Sequence, residues 1–70
     1  MAMDYDVQRL ELGDVVLIDF DDETSPVEAK VVRSIERTDT TVRVSLRADR
    51  HEEFVREWRL GEQVTVVGGP

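Results

Sequence analysis

The stretch Val27-Glu28-Ala29-Lys30-Val31-Val32-Arg33-Ser34-Ile35-Glu36-Arg37-Thr38-Asp39-Thr40-Thr41-Val42-Arg43-Val44-Ser45-Leu46-Arg47-Ala48 decides the fold. In its second half Val42, Val44, Leu46 and Ala48 alternate with Thr41, Arg43, Ser45 and Arg47. A period of two puts one set of side chains on each face of a strand, so the apolar set marks a half-buried strand. Val27-Glu28-Ala29-Lys30-Val31 alternates in the same way. Thr38-Asp39-Thr40 lies between the two arms, and its short polar side chains suit a turn because they bond their own backbone. A turn flanked by Thr38 and Thr41 sets the register: Ile35 falls opposite Val44 as a core pair, and Glu36 opposite Arg43 as an exposed pair of opposite charge.

The first arm breaks its own rhythm. Val32 is apolar out of phase, Arg33 falls where a core residue belongs, and Ile35 resumes the pattern. A bend or bulge over residues 32–34 restores the phase. A long strand bent in its middle is what lets one strand serve both halves of a small barrel.

Working outward, Val15-Val16-Leu17-Ile18-Asp19-Phe20 is a short apolar run rich in β-branched residues, bounded by turn material, which predicts a strand. Val16, Ile18 and Phe20 face the core in this reading. Val15 and Leu17 then lie on the opposite face, partly covered or at a contact. Asp21-Asp22-Glu23-Thr24-Ser25-Pro26 reads as a solvated loop, since Pro26 cannot donate to a central ladder. Glu53 to Leu60 alternates again, with Phe54 and Trp58 as core anchors and Arg56 as a misfit on their side. Gly61-Glu62 makes a tight corner, where a single turn of 3-10 helix is expected. Val64-Thr65-Val66-Val67 closes as a short strand, and residues 68–70 form a tail. Residues 1–9 read as a loosely attached segment, although the alternation of Tyr5 and Val7 would also suit a short edge strand.

The predicted fold class is all-β: a small five-stranded antiparallel barrel over residues 10–67. Its five short strands, long bent second strand and one-turn corner resemble the SH3-like barrels, with the layout of Tudor and KOW-type modules. Leu12-Gly13-Asp14-Val15-Val16-Leu17 resembles the G-D-x-V opening of many such barrels. This architecture hosts many unrelated functions and by itself licenses none of them, and two departures count against the ligands of the Tudor and KOW-type modules. Tudor readers surround a methylated cation with several ring faces, whereas the aromatics here are Tyr5, Phe20, Phe54 and Trp58, at least three of which the core needs. KOW modules carry a basic, glycine-rich first loop, whereas this chain has Asp21-Asp22-Glu23.

Seventy residues make one small domain, and a chain of that size buries about 60% of the surface its unfolded form exposes. There are no cysteines to staple it. No apolar run approaches the roughly 20 residues that span a bilayer, and the N-terminus has no signal-peptide pattern. The expectation is a soluble, cytoplasmic protein. With 16 acidic and 9 basic residues the net charge is −7, which opposes general binding to phosphate backbones.

No catalytic, cofactor-binding or metal site is expected. His51, the only histidine, sits among Arg50, Glu52 and Glu53 without a nucleophile. Asp19, Asp21, Asp22 and Glu23 lack the glycine bend and closing glutamate of a calcium loop. Arg33, Arg37, Arg43, Arg47 and Arg59 share a face with Glu28, Glu36, Glu53 and Glu57, where cross-strand ion pairing is the preferred reading. The function expected is a non-enzymatic interaction module that docks on a protein or self-associates. Its candidate contact residues are Val15, Leu17, Asp21, Asp22, Glu23, Arg43 and Arg47. Two alternatives stay open: an acidic nucleic-acid mimic that occupies the basic groove of a DNA- or RNA-binding protein, and direct nucleic-acid binding through the arginine-bearing face.

Overall fold

The computed structural model describes residues 2–20, 24–49 and 51–69. It contains six strands: β1 (Met3–Asp6), β2 (Val15–Ile18), β3 (Val27–Arg37), β4 (Thr41–Ala48), β5 (Phe54–Arg59) and β6 (Gln63–Gly68), with one 3-10 turn at Val7–Arg9. All neighbours are antiparallel, in one sheet of order β1-β6-β2-β3-β4-β5. The strand count corrects the expectation of five. Among the described residues no pairing joins β1 to β5, so the sheet has two edges where a closed barrel has none. Among the described residues no helix is long and apolar enough to cross a membrane.

The central hairpin follows the predicted register, with Ile35 opposite Val44 and Glu36 opposite Arg43. The Thr38 hydroxyl accepts the amides of Thr40 and Thr41 at 3.3 and 2.9 Å, which ties the turn locally. The phase slip in β3 is a bulge. Val31 pairs with Leu46 and Ile35 with Val44, so Val32, Arg33 and Ser34 together oppose Ser45 alone. The bulge points the amides of Arg33 and Ser34 at one oxygen, the Ser45 hydroxyl, at 3.0 Å each. Ser45 is buried, although its place in the alternation assigns it to the outer face.

The core is made of small aliphatics. Val16, Ala29, Val31, Val42, Val44 and Leu46 are at most 1% exposed, and Val7 and Leu10 join them from the N-terminal side. Tyr5, Phe20, Phe54 and Trp58 pack against this cluster but are only partly buried. The expected anchors Phe54 and Trp58 therefore stand half-buried on an edge strand, packed against the core cluster without being enclosed by it. Arg56, between them, has a place there too. Its guanidinium lies 5.8 Å from the centre of the Phe20 ring, and Nη2 donates to the Asp19 carbonyl at 3.4 Å. Phe20 also stacks on His51, at 4.3 Å between centroids, and meets Phe54 edge-on.

The N-terminal segment is not loosely attached over Met3–Arg9. Met3 to Asp6 pair with Val66 to Gln63, and Val7 is fully buried. Arg37 holds the following turn from β3, donating to the Gln8 and Leu10 carbonyls at 3.3 and 2.6 Å. The 3-10 turn lies here, at Val7–Arg9, and not before the last strand. The corner before β6 is a four-residue turn with Gly61 at φ +93°, closed by the Glu62 amide donating to the Arg59 carbonyl at 3.1 Å. A positive φ at the third position favours glycine there.

This corner and the turn before β2 share one design. Glu11-Leu12-Gly13-Asp14 and Arg59-Leu60-Gly61-Glu62 each end in glycine and an acid. In both, the fourth amide returns to the first carbonyl, at 3.1 Å. In both, the acid's carboxylate accepts the first residue's amide, at 2.9 Å for Asp14 and 2.7 Å for Glu62. Each turn also leaves its leucine exposed: Leu12 at 52% and Leu60 at 40%.

Candidate interaction surface

The outer face of the sheet carries the odd-numbered residues of β2 and β4 and the even-numbered residues of the first half of β3. The pairing of β2 with β3 sets Val15 opposite Lys30, and that of β3 with β4 sets Lys30 opposite Arg47. The three form one row across three strands, spanning about 10 Å at the usual strand spacing. Leu17 lies further along β2, opposite Glu28. Val15 and Leu17 are half-buried, as their parity predicts.

Of the candidate contact residues, Val15 and Arg47 share this row, while Leu17 lies one step further along β2, about 12 Å from Arg47 at the same spacings. Arg43 is set apart at the other end of β4, about 13 Å from Arg47 along the strand, where it is flanked by Glu36 on β3 and Glu57 on β5. Asp21, Asp22 and Glu23 lie outside the described residues.

The electrostatics of the row are unusual for a chain of this charge. Lys30 and Arg47 are like charges in direct register, an arrangement that costs about 0.2–1 kcal/mol relative to neutral pairs. Glu53 offsets only part of it. Its Oε1 takes a 2.9 Å bond from Arg33 Nε and a longer 3.7 Å contact from Arg47 Nη2, all at exposed positions. Among the described residues nothing pairs with Lys30.

Beside the two cations runs a groove of about 740 Å³, whose lining includes Leu12, Lys30, Val32, Arg47, Asp49 and His51. Its volume falls within the range of small-ligand and peptide-side-chain sites. Its lining is mixed: aliphatic at Leu12, Val31, Val32 and Ala48, basic at Lys30 and Arg47, and acidic at Asp49. Leu12, Lys30 and Val32 escape a reading of the sequence alone. Lys30 looks like an ordinary outward residue until the register places it against Arg47. Leu12 looks like turn material until the Gly13 amide bonds the Val31 carbonyl at 2.9 Å and brings the turn onto β3.

Among the described residues no group of three or more His, Asp or Glu is placed to hold a metal ion. The His51 ring stacks on Phe20. Comparison with known proteins gives no match, whether to a protein family, to a curated protein or to a solved structure.

Proposed function

We propose that this chain is a non-enzymatic protein-interaction module, on an SH3-like arrangement of β2–β6 extended by β1, and that it docks an acidic, partly aliphatic segment of a partner protein at the Lys30–Arg47 groove. One observation carries the reading: two cations stand in direct register beside a partly aliphatic groove, with no partner for Lys30 among the described residues, on a chain of net charge −7. A local arrangement that costs stability and is only partly offset, by the Arg47–Glu53 contact, suits a site of use. Carboxylates of a partner would relieve the repulsion, while Leu12 and Val32 would take its apolar side chains. Nucleic acid is a poorer occupant, because Glu28, Asp49 and Glu53 interrupt any continuous basic track that a phosphate backbone would follow.

The test is capture of partners by tagged protein from the lysate of its native host, with and without nuclease, run beside the Lys30→Glu, Arg47→Glu double variant. The expected result is a nuclease-resistant protein that the variant fails to retain while its circular dichroism stays native. A partner retained equally by the variant would refute the groove. Material released by nuclease would point to the arginine-bearing face as a nucleic-acid surface instead.

A further inference from the structure

The two edges of the sheet are not equivalent. The Leu60 amide donates to the Thr40 carbonyl at 2.9 Å, which fixes the phase of the ladder between β4 and β5. In an antiparallel pair, residues alternate between facing the neighbour and facing away. Phe54, Arg56 and Trp58 therefore direct their main-chain groups at β4, and Val55, Glu57 and Arg59 direct theirs outward. The outward groups of Arg59 are taken, since its amide donates to Glu62 Oε2 at 2.7 Å and its carbonyl accepts the Glu62 amide at 3.1 Å. What remains is a window formed by the N–H and C=O of Val55 and of Glu57. Val55 is 52% exposed.

The other edge is guarded. The Val7 amide donates to the Glu62 carbonyl at 2.9 Å, which puts the outward groups of β1 at Asp4 and Asp6. That strand is four residues long with an acid at each outward position, a usual way of blunting an edge. β5 is six residues long and contains no proline and no lysine, and its ladder with β4 has no register shift.

A second copy of the chain meets like charges at the β5 window. A symmetric antiparallel pairing centred on Arg56 sets Arg56 against Arg56, and the Glu53 that would meet Arg59 on either side is already paired with Arg33 and Arg47. One centred on Glu57 sets Glu57 against Glu57, and one centred on Val55 sets Glu53 against Glu57. The register centred on Trp58 would pair Glu57 with Arg59, but it needs the main-chain groups that Glu62 already holds. In-register parallel pairing again juxtaposes like charges. Directly opposed like charges destabilise a strand pair.

We infer that β5 receives an extended segment of a different protein as an antiparallel seventh strand, hydrogen-bonded through Val55 and Glu57, with a basic residue opposite Glu57, an acidic residue opposite Arg56 and an aliphatic one opposite Val55. Main-chain bonds supply adhesion in such strand addition, and the cross-strand side chains supply selectivity. The inference rests on the interaction-module reading but not on the Lys30–Arg47 groove.

The probe is an end-blocked synthetic peptide with lysine, glutamate and valine in succession, which meets Glu57, Arg56 and Val55 in that order. At saturating peptide, exchange of the Val55 and Glu57 amides is expected to slow by about tenfold or more. A peptide with lysine and glutamate interchanged is expected to bind about fivefold more weakly or worse, given two reversed charge pairs. Glu57→Pro removes an outward N–H while leaving the bonds to β4, so it is expected to keep the fold and lose the peptide; Val55→Pro serves as the second variant. Lys30→Glu with Arg47→Glu is expected to bind the peptide as the native chain does, which separates this window from the groove. The inference is overturned by equal binding of the two peptides, by binding that survives both proline variants, or by no protection at millimolar peptide. A concentration-dependent dimer abolished by Glu57→Pro would overturn it in favour of self-pairing.

Discussion

Replacing Ser45 by alanine tests the bulge that bends β3. The change deletes one buried oxygen and leaves the amides of Arg33 and Ser34, each 3.0 Å from it, without an acceptor. An amide deprived of its partner costs about 1–3 kcal/mol. Arg33 and Ser34 are exposed residues, so water reaches the vacated side and the lower end applies, giving about 2 kcal/mol for the pair. A domain of 70 residues has a total stability of about 3.5–10 kcal/mol. The loss therefore consumes a large share of it. In thermal melts it lowers Tm by about 8–16 °C. In urea it moves the midpoint by about 2 M at unchanged slope. Amide exchange at Arg33 and Ser34 accelerates more than at Val42 or Val44. A loss below about 0.5 kcal/mol, the range of an ordinary surface substitution, would refute the claim that this hydroxyl organises the bulge.

The remaining expectations are smaller. Arg37→Lys cannot reproduce the fork that reaches both the Gln8 and Leu10 carbonyls; it is expected to cost about 1–2 kcal/mol and to raise amide exchange across Met3–Arg9 first. Glu53→Gln removes both ion pairs of this carboxylate, whose arginine partners are 71% and 63% exposed. The expected change is within about 0.5 kcal/mol, and melts at low and high salt are expected to converge as screening removes it.

Much of the central hairpin can be read from sequence because two independent signals agree there. The period of two assigns faces, and the polar turn fixes which residues meet. The slip at Val32 to Ser34 is legible as a break in phase, but its cure is not. Ser45 sits in the alternation like any outward residue, and only the folded backbone reveals that two amides converge on its oxygen. β1 is hard to foresee for the opposite reason. Met3-Asp4-Tyr5-Asp6 has little apolar content of its own, and it becomes a strand because β6 offers an edge about sixty positions along the chain. The 3-10 turn falls at Val7–Arg9 because Arg37 and the Glu62 carbonyl hold that segment from outside. The Gly61 corner needs no helix, since glycine and Glu62 close it directly. In the candidate surface, parity alone places Val15, Leu17 and Arg47 on one face. Which of them are neighbours depends on strand order, and that is why Lys30 enters and Arg43 leaves. The exposed window on β5 is likewise a property of topology, because any strand reads the same until its neighbours are known.

The position of β6 between β1 and β2 has a consequence for how the chain reaches its native state. β2, β3, β4 and β5 follow one another as a meander, and each can pair with its predecessor across a short connection as soon as it is made. β1 cannot: among the described residues it pairs with β6 alone, and the loop between them encloses nearly the whole domain. The outer edge of β2 waits for the same strand. Distant pairings of this kind are the slow ones, since closure of the loop precedes any contact that rewards it. When Gln63–Gly68 arrives, it pairs with β1 on one side and with β2 on the other. A nascent or truncated chain that stops at the Gly61 corner holds a half-built sheet with the β6 side of β2 unpaired.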